Sequence, residues 1–71
     1  MTILIAGTVD IAAGGREKAL AESAQLQAQT RTQPGCLHYV WSADPASDTG
    51  VYVYENWAST ADLAAHLAGP Y

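Results

Sequence analysis

The sequence is short of the residues that staple or charge a small protein. It has one cysteine, two histidines and three basic residues in 71. A single cysteine excludes an internal disulfide, and scattered histidines with one thiol exclude a structural zinc site. Arg16, Lys18 and Arg31 face seven acidic residues, for a net charge of −4. Without a basic footprint to neutralise phosphates, neither a nucleic acid nor an anionic membrane is expected as partner. No apolar run is long enough for a membrane span. The opening MTILIAGTVDI lacks a basic start and meets Asp10 early. It reads as a strand rather than a secretory leader, and with a lone free thiol the expected location is cytoplasmic.

What is present is apolar enough to fold: 49% hydrophobic residues against 14% charged. That balance argues against disorder, and the length sets one domain over residues 1–71. A core of this size supplies only about 3–5 kcal/mol of net stability, so a second copy of the chain is expected as the missing staple. Thr2 to Asp10 is rich in β-branched residues and apolar on both faces at its start, predicting a strand covered on both sides. From Arg16 to about Thr32 helix formers dominate, with Ala19, Leu20, Ala24 and Ala28 along the expected buried side. Glu17, Glu22, Gln25 and Gln29 form the solvated side.

Gln33-Pro34-Gly35 stops that helix. Cys36 to Ser42 then reads as a strand, with Cys36, His38 and Val40 on one face and Leu37, Tyr39 and Trp41 on the other. A turn-rich connection, Asp44 to Gly50, leads to a third strand, Val51 to Trp57. Alternation there puts Val51, Val53, Glu55 and Trp57 on one face and Tyr52, Tyr54 and Asn56 on the other. Ser59 and Asp62 form a capping pair for a last helix, whose expected buried stripe is Leu63, Ala64 and Leu67, and which Gly69-Pro70 ends. Strand, helix, strand, strand, helix is the ferredoxin-like α+β order with its final strand missing. Either a further stretch of chain or another subunit is expected to cover the sheet edge this leaves.

Three pieces carry a family resemblance: Pro34-Gly35-Cys36-Leu37-His38-Tyr39, Tyr54-Glu55-Asn56-Trp57 and Asp62-Leu63-Ala64-Ala65-His66. In that order and spacing they resemble the antibiotic-biosynthesis monooxygenase family of small dimeric α+β barrels, with Asp62 where the family pattern has alanine. The resemblance implies a ferredoxin-like βαββα(β) domain, an antiparallel sheet with helices on one face, and two subunits closing a barrel. It also implies oxygen chemistry without metal, flavin or haem on a quinol-like aromatic. Family members that degrade haem use an asparagine in the first strand, and ILIAGTV has none. Oxygenases of aromatic polyketides carry a polar amide four residues before the tryptophan, where this chain has Val53.

Such chemistry asks little of a protein. An ionised hydroquinone can itself reduce dioxygen, so the site must exclude water, take a proton and stabilise an anion. His66 is the first candidate for the proton, because imidazole titrates near neutral pH. The structural reading of His66 is a helix-terminal residue interacting with the dipole. Trp57 offers a flat wall and an indole N–H, or is simply a core residue. Tyr39, Glu55 and Val53 are the expected substrate-binding residues beside it; a half-buried Glu55 would otherwise have to be paired. Cys36 has no activating neighbour in view and is not expected to be a nucleophile.

The reading is therefore a homodimeric monooxygenase with His66 and Trp57 catalytic, taking dioxygen and a small aromatic substrate and no cofactor. The alternative is a non-catalytic dimeric binding or assembly module of the same fold. An isomerase of a phosphorylated signal ranks last, since only Arg16, Lys18 and Arg31 could hold an anion. The catalytic pair makes a geometric demand: Trp57 and His66 must face one cavity, and if they do not, the fold reading survives and the enzyme reading fails.

Overall fold

A computed structural model describes residues 2–69; Met1, Pro70 and Tyr71, including the proline expected to end the last helix, lie outside the described residues. The elements are β1 (Ile3–Asp10), α1 (Arg16–Arg31), β2 (Cys36–Ala43), β3 (Gly50–Trp57) and α2 (Thr60–Ala68). The strands form one sheet in the order β1-β3-β2, antiparallel throughout, so β3 is central. This is the ferredoxin-like α+β arrangement the sequence predicts.

Register sorts the residues onto two faces. Ile3, Ile5, Gly7 and Val9 pair with Trp57, Glu55, Val53 and Val51, and Tyr39, Trp41 and Ala43 pair with Glu55, Val53 and Val51 from the other side. One correction follows from β2. Cys36 pairs with Trp57 but His38 pairs with Asn56, so Leu37 is an extra residue, a bulge. Cys36 thus joins the face of Tyr39 and Trp41 instead of that of His38 and Val40. Simple alternation fails here because a bulge shifts the period by one.

The core is small. Val51 and Trp57, at opposite ends of β3, are its fully buried apolar residues among those described. The opposite face of the sheet is open in the single chain: Leu4, Tyr52 and Tyr54 are exposed, Leu4 to 63%. The first strand is therefore not covered on both sides, contrary to its apolar start.

Helix α1 lies against β2, and its buried residues are Ser23, Gln27 and Thr30. The expected stripe was wrong in part, since Ala24 and Ala28 are exposed. The cause is the strand it covers. As an edge strand, β2 has backbone groups without a strand partner, and α1 supplies one. Gln27 Oε1 accepts from the Trp41 N–H at 3.2 Å, while Arg31 Nε donates to the Tyr39 carbonyl at 2.9 Å. Gln27 Nε2 donates to Ser23 Oγ at 2.9 Å, which itself donates to the Leu20 carbonyl at 2.8 Å. A polar buried face is what an edge-capping helix needs.

At the other end of α1, Arg16 Nη1 donates to the carbonyls of Asp44, Ser47 and Gly50. This ties the helix to the loop between β2 and β3, beside Val51. No helix of the described residues is long and apolar enough to cross a membrane.

Candidate functional site

The chemistry-bearing residues gather at the Trp57 end of β3, where the turn after α1 meets α2. Helix α2 starts as predicted: Ser59 Oγ accepts from the Asp62 N–H at 3.2 Å and donates to Asp62 Oδ2 at 2.8 Å. The turn before β2 locks against it. Gly35 has φ +79°, and a Cβ there would fall 2.1 Å from Asp62 Oδ2. The Gly35 carbonyl also accepts from the Ala58 N–H at 2.8 Å. Only glycine allows both the left-handed backbone and the close approach.

Anchored this way, α2 buries His66 rather than its leucines. His66 is 7% exposed, whereas Leu67 is 72% exposed and Ala64 is also on the outside. The imidazole stacks on the Trp57 indole, ring centroids 4.7 Å apart with planes 28° from parallel. Tyr39 meets it edge-on at 5.7 Å. Its Nδ1 lies 2.9 Å from Gln33 Oε1. Among the described residues, its other nitrogen has no hydrogen-bond partner.

Glu55 is paired in a way alternation alone does not reveal. Its Oε1 accepts from the Trp57 indole N–H at 3.0 Å, so the handle expected to serve a substrate is already occupied. Tyr39 sits opposite Glu55 in register. Burial raises the Tyr39 phenol above its ordinary value of 10.0; the Trp41 indole opposes this, and Glu55 and Cys36 add to it. Trp41 Nε1 is itself buried with no acceptor at hydrogen-bonding geometry, so burial prevails. Cys36 is likewise raised above 9.0, by burial first and Glu55 second, against Arg31. Both shifts disfavour the ionised forms, which argues against a nucleophilic Cys36.

A cleft of about 240 Å³ opens beside this cluster, lined by Gln33, Pro34, Asp62, Ala65, His66 and Gly69. His66 is the one predicted site residue on its wall. Trp57 is fully buried behind the imidazole, so the two do not share one open cavity as the sequence reading required; the expected catalytic pair fails, and an enzyme reading has His66 alone to rest on. Tyr39 and Glu55 join the cluster without lining the cleft. Val53, between Gly7 and Trp41 in the middle of the sheet, belongs to neither. Two lining residues were missed. Asp62 was read only as a cap, although its place four residues before His66 puts both on one helix face. Gln33 was read only as part of a stop signal, and nothing in the sequence pointed further.

The basic residues are engaged elsewhere. Arg16 and Arg31 hold backbone carbonyls, and Lys18 Nζ lies 3.9 Å from Glu22 on the exposed side of α1. No group of three or more potential metal ligands occurs among the described residues.

The sequence profile of antibiotic biosynthesis monooxygenases matches residues 2–71. The chain belongs to that family. Its two helices and three-stranded antiparallel sheet are an α+β arrangement consistent with that family's ferredoxin-like fold. An uncharacterized protein of Synechocystis sp. is 29% identical over 69 residues, a match that takes in 97% of this chain and 47% of that protein. The chain therefore spans about half the length of that relative. No solved structure matches it.

Proposed function

We propose that the chain is a cofactor-independent monooxygenase of a one- or two-ring hydroquinone, with His66 as the group that takes the phenolic proton. The observation carrying this reading is an imidazole on a cleft wall, held by a stacked tryptophan and a single hydrogen bond at Nδ1. Family membership supports oxygen chemistry in general and leaves the substrate to the cleft. A cavity of about 150 Å³ holds benzene, so an open cleft of about 240 Å³ has room for one or two rings.

In this reading the hydroquinone loses a proton to His66, and the anion passes electrons to dioxygen. One oxygen atom enters the ring and the other leaves as water; the substrate supplies all four electrons and becomes a hydroxyquinone. Asp62, on the same helix face, accepts a hydrogen bond from the second hydroxyl. Trp57 acts through His66, by holding its ring, and Tyr39 and Glu55 support that ring and the indole. Val53 has no part at this cleft. We further propose that the chain works as a homodimer in the cytoplasm. The open sheet face with Leu4, Tyr52 and Tyr54 supports the dimer, and the lone free thiol of Cys36 suits a reducing compartment.

Oxygen uptake with a panel of one-, two- and three-ring hydroquinones tests the reading. Turnover of the smaller compounds, reduced about 100-fold or more in His66→Gln, is expected. A second reading, a non-catalytic binding module, is favoured by the engaged indole N–H of Trp57. Hydroquinone binding with no oxygen uptake would select it. Equal uptake by wild type and His66→Gln would rule out His66 as the proton acceptor.

A further inference from the structure

Gln33 is held more firmly than a turn residue needs to be. Its N–H donates to the Thr30 carbonyl at 3.0 Å, and its own carbonyl accepts from the Cys36 N–H at 3.1 Å. Two residues on, Gly35 is fastened to Ala58 and packs on Asp62. The backbone carrying the Gln33 side chain is thus fixed relative to α2, and its Oε1 reaches Nδ1 of His66 at 2.9 Å. Trp57 covers one face of the imidazole and Tyr39 approaches its edge, which leaves the ring little freedom to turn.

The chemistry of the partner matters. An amide oxygen only accepts, so Nδ1 carries the hydrogen and a neutral ring has its lone pair on Nε2. A carboxylate in the same place would orient the ring too, but would also favour its cationic form. Neither nearby carboxylate contacts Nδ1: Glu55 bonds the Trp57 indole and Asp62 Oδ2 bonds Ser59. Tyr39 on β2 meets the ring edge-on and does not contact Nδ1.

We propose that Gln33 is a positioning residue that fixes His66 in the Nδ1–H form, so that Nε2 is the nitrogen that accepts a proton in the cleft. Its functional meaning rests on the reading of His66 as the proton-transfer group; the state of the ring does not. The two can therefore fail separately.

The test is nitrogen-detected NMR of the His66 ring in the neutral state, on the whole chain without substrate. Wild type is expected to show hydrogen on Nδ1 and a lone pair on Nε2. Gln33→Glu, which keeps an acceptor at the same reach, retains that pattern. Gln33→Leu, which removes it, moves the ring toward the Nε2–H form that free histidine prefers. Should Gln33→Leu not fold, Gln33→Asn gives the same reading, because its shorter arm leaves Nδ1 without its acceptor. Hydrogen on Nε2 in wild type, an unchanged ratio in the variant that loses the acceptor, or a reversed ratio in Gln33→Glu would each overturn the proposal. With an active substrate in hand, Gln33→Leu lowers kcat roughly tenfold at unchanged KM. An Nδ1–H ring in a protein inert toward every hydroquinone would retire the monooxygenase reading and leave the positioning role of Gln33 standing.

Discussion

The two ends of β3 are buried to the same degree and built from different chemistry. At the Val51 end, the Arg16 guanidinium closes the structure by donating to three backbone carbonyls of the neighbouring loop. At the Trp57 end, closure comes from side chains that gain and lose protons: His66 over the indole, Glu55 on its N–H, Tyr39 at the edge. Arginine stays charged at any physiological pH, so the first end is a fixed clasp. The second end holds a histidine on the wall of a cleft. Equal burial thus separates into a structural terminus and a reactive one.

Trp57→Ala breaks the reactive end most severely. Removing a fully buried indole costs about 3–5 kcal/mol, and it also frees the His66 ring; denaturant unfolding should read the first and loss of the fixed ring nitrogen pattern the second. Arg16→Met is the matching break at the other end. It removes a donor from three carbonyls, of which those of Asp44 and Gly50 keep a backbone partner and that of Ser47 has none among the described residues, for about 1–3 kcal/mol, while ligand binding at the cleft stays as in wild type. Gly35→Ala forces a side chain into left-handed backbone against Asp62, and a cost of about 1–3 kcal/mol is expected, with the His66 environment disturbed. Ser59→Ala, which removes the α2 cap, should cost about 1 kcal/mol.

How far these contrasts were readable from the chain differs by residue. All five elements and the Ser59–Asp62 cap follow from composition, punctuation and period, because each is decided within a few neighbouring residues. The Leu37 bulge was not readable, since it appears only in the register between β2 and β3. Neither was the polar inner side of α1: Ser23 and Gln27 look like surface until the edge of β2 demands partners. At the site, His66 was legible through its family position. Its covering of Trp57 was not, because the order of burial depends on how α2 lies across the sheet. Gln33 escaped for the same reason, being 33 residues from His66 in the chain.

The smallest expected effect lies at alkaline pH, where Tyr52 beside Val51 is also raised, by its hydrogen bond to Asp44 first. The folded chain holds the Tyr39 and Cys36 protons to higher pH than the unfolded chain does, because burial raises both groups. Their contribution is complete below the unfolded values of 10.0 and 9.0 and is lost as pH rises through the folded ones. Alkaline stability, read by denaturant unfolding across that pH range, should therefore decline less steeply in Tyr39→Phe than in wild type.

The most direct test of the reactive end is a hydroquinone titration under nitrogen, following the ring signals of His66 and the methyl signals of Val51. Saturable shifts at His66 with Val51 unmoved are predicted. Shifts at neither residue, or equal shifts at both, would contradict the assignment of the Trp57 end as the site.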